Sequence, residues 1–186
     1  MAAMTSRASC TDVNDADLRA GLWLRVDVAR QVLEQWRGDS LLETWPVSTA
    51  RNGVGEASGS ERTPRGWHVV RARIGAGLPQ AAVLRGRRPT GEVWTPALHE
   101  ACPGRDWILS RILWLSGLQP GHNRGRAADG TVVDSMRRYI YLHGTPDSEP
   151  MGVPLSHGCV RLRNSDIMTL FEQVPAGTPV LIEAGA

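Results

Sequence analysis

A histidine and a cysteine separated by one glycine stand in the segment LSHGCVRLR, residues 155–163. A second histidine, His143, lies sixteen positions before Cys159, at the end of the apolar stretch YIYLHG. A free thiol has a pKa of ~8.5, so a cysteine nucleophile needs an imidazole nearby that takes up its proton. Both His143 and His157 are candidates for this imidazole, and an imidazolium beside Cys159 would lower the thiol pKa.

The main chain around Cys159 offers the other parts of a site for acyl transfer. If the segment is extended, His157 and Cys159 point to the same side, because side chains alternate along a strand. Gly158 permits a close approach of substrate, and the N–H groups of Gly158 and Cys159 can then point at a developing oxyanion. No Asp, Asn or Glu stands where it would obviously orient the base, so the carbonyl of Gly144 is the candidate that orients His143.

Two other interpretations of Cys159 stay open on residue types alone. A cysteine in an apolar stretch is commonly a small core residue. His143, His157 and Cys159 also provide three ligands of the kind that zinc binds, but no second chelating pair accompanies them. The three cysteines of the chain form neither a disulfide framework nor a CxxC pair. We therefore predict no metal site.

Composition excludes several classes of protein. The 186 residues suit one domain, and a net charge of +2 is too small to indicate a nucleic-acid-binding protein. No apolar run approaches the ~18 residues of a transmembrane segment. The N-terminal residues lack the apolar region of a signal peptide. On these features alone we would predict a cytoplasmic monomer.

Short strands fill most of the chain according to its apolar pattern. In LWLRVDV, apolar residues alternate from Leu22 to Val28, which is the period of a strand, and QVLEQW can pair back on it. Similar runs predict strands in LLETW, WHVVRARI, AAVLRGR, GEVWTP, WILSRILWLSG, RRYIYLHG and TPVLIE, with a hairpin turn around RRPTG. Glycine and polar residues predict exposed loops over residues 51–66 and 119–136.

One helix is predicted, in the segment NSDIMTLFEQV near the C-terminus, with Asn164 or Ser165 as its N-cap. Its apolar face is formed by Ile167, Leu170, Phe171 and Val174. Residues 1–17 are small and polar and are predicted to be a loose tail, which leaves residues 18–186 as the folded domain.

The segment from His143 to Arg161 resembles the signature of the L,D-transpeptidase catalytic domain, also called the YkuD domain. That signature places a histidine at a strand end, then a loop of roughly a dozen residues, then Ser/Thr-His-Gly-Cys, a hydrophobic residue and Arg or Asn. Here a twelve-residue loop separates His143 from SHGCVR. Upstream, VSTARNGVG and TPRGWH resemble the ST…TPxG stretch of the family, so the resemblance covers nearly the whole chain from about residue 20.

The resemblance implies a mostly β fold, with mixed sheets packed like a β-sandwich and one main α-helix near the C-terminus. It implies that Cys159 is the nucleophile and that His143, oriented by the Gly144 carbonyl, is its base or ion-pair partner. It further implies that His157 and Gly158 help the Cys159 N–H to form the oxyanion pocket.

Three more residues are assigned to substrate binding: Tyr141, Ser156 and Arg161. Ser156 and Arg161 belong to the family motif. Arg161 can hold a substrate carboxylate through two parallel hydrogen bonds. A structural ion pair is the alternative for this arginine.

The implied reaction is acyl transfer without a metal or organic cofactor. The family takes peptidoglycan stem peptides: Cys159 would attack the third residue, a diamino acid, expel the terminal D-Ala, and pass the acyl group to an amine. An L,D-carboxypeptidase or amidase-type hydrolase on the same fold and a non-catalytic wall-binding module are the alternatives. The family also implies the cell envelope or periplasm, in contrast to the cytoplasmic expectation above.

Overall fold

A computed structural model describes residues 14–185, which form ten strands and three helices. The strands are β1 (Leu22–Asp27), β2 (Val32–Arg37), β3 (Ser40–Pro46), β4 (Gly66–Ile74), β5 (Ala82–Arg85), β6 (Arg88–Val93), β7 (Ile108–Gly117), β8 (Tyr141–Thr145), β9 (Val160–Arg163) and β10 (Pro179–Glu183). The helices are α1 (Asp15–Arg19), α2 (Pro96–Ala101) and α3 (Asn164–Gln173). The predicted class, mostly β with one main helix near the C-terminus, is confirmed.

The strands form one curled mixed sheet rather than two separate sheets. Hydrogen bonds connect β3-β2-β1-β10-β4-β7-β5-β6 in that order, while β8 pairs with β7 and carries β9. The branch lies at β7, whose ten residues pair with β4 and β5 along one edge and with β8 along the other. The two-sheet expectation is therefore corrected, because one long strand belongs to both halves of the structure.

The largest apolar cluster lies between the sheet and α3. The predicted apolar face of α3 is confirmed, since Ile167, Leu170, Phe171 and Val174 are all at most 1% exposed. Burial of one such side chain stabilises the fold by about 1.5–3 kcal/mol. The helix contacts β7, β8 and β9, and the last two of these strands carry His143 and Arg161. The apolar core therefore packs against the strands that position the candidate site.

The N-terminus of α3 differs from its prediction. The N-cap is Arg163, and neither Asn164 nor Ser165 caps the helix. Asn164 is buried, and its side chain bonds elsewhere: Nδ2 donates to Thr145 O at 3.0 Å, and Oδ1 accepts from Ser110 Oγ at 2.6 Å. These bonds connect α3 to β7 and β8, so this asparagine joins elements rather than capping one.

Other differences are local. The described part of the predicted loose tail contains α1, whose first turn is capped by Asn14, so the prediction was wrong from Asp15 onward; residues 1–13 lie outside the described residues. Helix α2 was missed, although Thr95 caps it and Pro96 begins it. The predicted hairpin of β5 and β6 is present, but its turn is Gly86–Arg87 because β6 already begins at Arg88.

Candidate active site

The predicted residues meet at one cleft of about 510 Å³. The cleft is lined by His143, Cys159, His157, Ser156, Tyr141 and Arg161, together with Gly86, Arg87, Asp106, Ile108 and Tyr139. Gly144 and Gly158 do not line it but are the chain neighbours of His143 and Cys159. Six of the eight predicted residues thus line the same cleft, and the other two are adjacent in the chain to residues that line it.

Parallel pairing of β8 and β9 brings the two halves of the motif together. His143 in β8 is the register partner of Arg161 in β9, and Cys159 directly precedes β9. The Tyr141 N–H donates to Cys159 Sγ at 3.4 Å, and Sγ donates to Tyr139 O at 3.4 Å. The thiol therefore lies against the start of β8, on the strand that carries His143.

The loop that carries Cys159 is held by its own serine. Ser156 Oγ donates to Cys159 O at 2.5 Å and accepts from the Gly158 N–H at 3.2 Å. Gly158 has φ of +133°, a conformation that favours glycine. The proposed role of Ser156 in substrate binding is therefore accompanied by a structural contact: its hydroxyl closes the turn before the thiol.

The segment after β3 holds the cysteine loop from the other side. Thr63 is fully buried, and its Oγ1 donates to Gly158 O at 3.0 Å while accepting from the Ala50 N–H at 3.0 Å. Ser48 exchanges two main-chain hydrogen bonds with Arg161. Residues 51–65 contain no regular strand or helix, but the prediction of a merely exposed loop is corrected by the buried position of Thr63.

His143 is buried and fixed by the main chain of its own strand. Its Nδ1 lies 2.7 Å from Gly144 O, and a carbonyl can only accept, so Nδ1 carries the proton. Nε2 is then the ring nitrogen with a lone pair. This contact has the geometry that was expected of the Gly144 carbonyl, and it prepares His143 to accept a proton at Nε2.

Gly144 must be glycine for steric reasons, and we expect Gly144→Ala to lower the free energy of unfolding by about 1–3 kcal/mol. A Cβ there would lie 2.6 Å from Leu109 O and 2.8 Å from Asn164 Oδ1. Any movement of the main chain that relieves these contacts would also displace the Gly144 carbonyl that accepts from His143 Nδ1. Urea unfolding measures the effect. Gly21→Ala is the matched control, because nothing lies within 4 Å of its added Cβ; equal losses for both variants would contradict the steric argument.

His157 is exposed and has a different partner. Its Nε2 lies 2.6 Å from a guanidinium nitrogen of Arg51. Because arginine only donates, Nε2 of His157 accepts this bond and its lone pair is occupied. His157 is thus the less suitable base, although it lines the cleft. Sequence reasoning missed Arg51, since nothing in the sequence indicates that it reaches residue 157.

The main-chain donors near the thiol differ from the expected pair. The Gly158 N–H is already bonded to Ser156 Oγ, so the prediction that this group faces the oxyanion is corrected. Among residues 14–185, the N–H groups of Cys159 and His157 have no hydrogen-bond partner. These two N–H groups are therefore the main-chain donors that remain free to bind an oxyanion. Gly158 instead provides the positive φ that the turn before Cys159 requires.

Arg161 forms an ion pair inside the cleft. Its side chain is 10% exposed, and one guanidinium nitrogen lies 2.8 Å from Asp106 Oδ1. Glu149 is more distant, at 4.0 Å. Of the two alternatives for Arg161, the structural ion pair is therefore the one observed. Asp106 lies in the loop before β7 and belongs to no motif, so its role in the cleft could be found only from the structure.

Burial sets the protonation of the thiol and the imidazole. It raises the pKa of the Cys159 thiol to about 12, with Asp106 adding to the effect and the Tyr141 N–H and Arg161 opposing it. Burial also lowers the pKa of His143, although Asp106 and the Gly144 carbonyl act in the other direction. No hydrogen bond joins Sγ to either imidazole in the described residues. Both shifts favour the neutral form of the group, and of the two roles predicted for His143, base or ion-pair partner, they favour the base.

We expect alkylation of Cys159 by iodoacetamide to be slow at neutral pH, with a midpoint above the ~8.5 of a free thiol, because only the thiolate reacts. Peptide mass spectrometry separates Cys159 from Cys102. Asp106→Asn should move the midpoint downward, since it removes a carboxylate that raises the pKa of the thiol and releases Arg161, which lowers it. A midpoint below 8 in the unmodified chain would contradict a neutral resting thiol.

No group of three or more His, Cys, Asp or Glu side chains among residues 14–185 is placed to hold a metal ion. The helices of this part of the chain are too short or too polar to cross a membrane.

Comparison with protein families gives a match over most of the chain. The profile described as the L,D-transpeptidase catalytic domain (YkuD) matches residues 21–182. A curated protein of Escherichia coli strain K12, "Probable L,D-transpeptidase ErfK/SrfK", is 49% identical over 158 residues, which are 84% of this chain and 42% of that protein. The chain spans less than half the length of the curated relatives it matches.

Two solved structures have a similar fold. An L,D-transpeptidase from Mycobacterium smegmatis is 16% identical with a TM-score of 0.51, covering 88% of this chain and 58% of that one. The L,D-transpeptidase LdtMt1, solved in complex with imipenem, is 17% identical with a TM-score of 0.51, covering 88% of this chain and 59% of that one. At these identities the likeness concerns the fold.

Proposed function

The chain belongs to the YkuD family of L,D-transpeptidase catalytic domains, and from this premise we propose that it is a peptidoglycan L,D-transpeptidase that acts through a thioester on Cys159. One observation carries the cysteine-dependent mechanism. A single cleft contains the thiol of Cys159 and an imidazole, His143, whose Nδ1 is bonded to Gly144 O so that Nε2 can accept a proton. Proteins of this family are cell-envelope enzymes, and we propose that this one acts on the peptidoglycan there.

Acylation comes first. Sγ of Cys159 attacks the carbonyl carbon at the L-centre of the third stem residue, and the thiol proton passes to Nε2 of His143. The oxyanion that forms is bound by the N–H groups of Cys159 and His157, which have no other partner in the described residues. The C–N bond to the terminal D-Ala then breaks, and His143 returns the proton to the leaving amine.

The acyl group is then transferred to a second amine. That amine attacks the thioester carbon and gives its proton to His143, after which the C–S bond breaks and Cys159 regains the proton. When the amine belongs to the D-centre of another stem's diamino acid, the product is a 3→3 cross-link. If water attacks instead, the same steps release a tripeptide, which is the carboxypeptidase alternative.

The pKa shifts of the thiol and the imidazole suit this mechanism. Because burial raises the pKa of the Cys159 thiol and lowers that of His143, the thiol becomes a strong nucleophile as His143 removes its proton. Bound substrate positions the carbonyl for attack and lets proton transfer and C–S bond formation proceed together. The non-catalytic alternative does not require an imidazole held in this tautomer.

The proposal is tested by incubating the purified protein with a disaccharide-tetrapeptide and analysing the products by mass. We expect loss of one D-Ala and the appearance of a cross-linked dimer. We also expect a covalent adduct with a carbapenem, the class of the compound bound to LdtMt1. Tripeptide without any dimer would favour the hydrolase alternative, and neither turnover nor adduct would favour a wall-binding module.

A further inference from the structure

Two arginines line the cleft, and only one of them has an acidic partner. Arg161 is paired with Asp106 at 2.8 Å. Arg87 forms no ion pair with any carboxylate of the described residues. The other acid near this hairpin, Glu92, is paired with Arg105 at 2.8 Å. The cleft therefore contains one positive charge that the protein itself leaves unbalanced.

Arg87 is held by aromatic groups. Its guanidinium carbon lies 4.6 Å from the ring centroid of Trp114 and 4.8 Å from that of Tyr139. One of its nitrogens donates to the Tyr141 hydroxyl at 3.2 Å. These contacts fix the plane of the guanidinium but supply no negative charge, and they use one of its five N–H groups. The remaining donors match the geometry of a carboxylate.

The turn that carries Arg87 is strained in a way that glycine would relieve. Gly86 and Arg87 form the two-residue turn between β5 and β6, and their φ angles are +54° and +65°. Such a turn favours glycine or asparagine at its second position, and a longer side chain there costs roughly 1 kcal/mol or more. An arginine at a position that disfavours it, with its side chain at the cleft, points to a role in binding.

We propose that Arg87 binds a free carboxylate of the acyl donor, with the Tyr141 hydroxyl orienting its guanidinium. The inference rests on the proposed function for the identity of the donor. A stem tetrapeptide has carboxylates close to the bond that breaks, at the terminal D-Ala and at the D-centre of the diamino acid. Arg87 would take the place in carboxylate recognition that the sequence assigned to Arg161, which is neutralised by Asp106.

The test measures binding separately from catalysis. In a Cys159→Ala background, the Kd of a stem tetrapeptide is measured by calorimetry with Arg87 intact, with Arg87→Gly and with Arg87→Lys. We expect Arg87→Gly to weaken binding by about 10- to 100-fold, as for a lost charge-assisted bond, and Arg87→Lys to lie between. Arg88→Gln is the control, because Arg88 is exposed and lies next to Arg87 without lining the cleft.

Two amidated tetrapeptides identify the carboxylate. One has the D-Ala carboxylate blocked and the other has the diamino acid carboxylate blocked. With Arg87 intact, one of them should bind about 10- to 100-fold more weakly than the free acid, and Arg87→Gly should bind both forms of that donor equally. Thermal melting of each variant checks that every Kd is measured on folded protein.

The inference is overturned if Arg87→Gly binds the tetrapeptide as tightly as the Arg88→Gln control does. It is also overturned if the weakening is the same for free and amidated donors, since Arg87 would then act on the shape of the cleft rather than on a charge. Failure of the proposed function has a different signature: the unmodified chain would give no turnover, whatever the dependence of Kd on Arg87.

Discussion

Replacing Cys159 by alanine is expected to lower the rate of D-Ala release by at least about 10⁴-fold and to abolish both the cross-linked dimer and the carbapenem adduct. The reason is that each of these products requires a bond to Sγ, and the cleft offers no second nucleophile in the same place. Ser156 is nearby, but its hydroxyl is engaged with Cys159 O and the Gly158 N–H. Quantification of free D-Ala and intact-mass analysis measure the loss.

Cys102→Ala is the matched control for this variant. Cys102 is also a free thiol, but it packs with Val83 and Trp107 in a separate apolar cluster and does not line the cleft. We expect its activity to stay within about threefold of the unmodified chain. A Cys159→Ala protein that still forms a carbapenem adduct would contradict the assignment of the nucleophile. A large loss in both variants would indicate damage to the fold instead.

Much of the fold can be predicted because its elements follow simple periods. Strand β1 alternates apolar residues, and α3 repeats them at helical spacing, so each pattern is determined by residues close in sequence. The same is true of the contact between His143 and Gly144, which joins neighbouring residues. The site motif could be recognised from the sequence because the loop between His143 and the segment around Cys159 has the length that the family signature requires.

The contacts between distant segments could not be predicted in this way. Asp106 meets Arg161 only because β7 pairs with β8, which pairs in turn with β9. Thr63 and Arg51 reach the cysteine loop from a segment that has no periodic pattern and whose composition predicts only an exposed loop. Arg87 is brought to the cleft by a hairpin turn placed a few residues away from its predicted position.

The protonation of the thiol and the imidazole is the part of the site that the motif leaves open, since the motif allows His143 to be either a base or an ion-pair partner. A histidine near a cysteine suggests an ion pair, but an ion pair is stable only where its charges are solvated or bonded. The folded chain buries His143 and packs the thiol of Cys159 against main-chain atoms, so desolvation opposes charge on both groups. How deeply a side chain is buried depends on the whole fold and is not expressed in any short motif.

Replacement of His143 by glutamine should reduce kcat/KM for D-Ala release by about 10²- to 10⁴-fold, the usual effect of losing a general base. Glutamine can keep a donor toward Gly144 O but has no titrating nitrogen. His157→Gln should cost less than about tenfold, because a glutamine oxygen can still accept from Arg51 and the main-chain N–H is unchanged. A larger loss of kcat/KM for His157→Gln than for His143→Gln would indicate that His157, and not His143, is the general base.

The pH profile distinguishes a base from a residue that merely shapes the cleft. Since burial lowers the pKa of His143 below its usual ~6.5, its lone pair is available at neutral pH and is lost only as the pH falls through that lower pKa. The acid limb of kcat/KM should therefore lie below pH ~6.5. Asp106→Asn should move the limb to still lower pH, because the Asp106 carboxylate raises the pKa of His143 whereas Arg161, freed from its partner, lowers it. A limb that stays in place in Asp106→Asn, or that persists in the residual activity of His143→Gln, would assign the titration to another group.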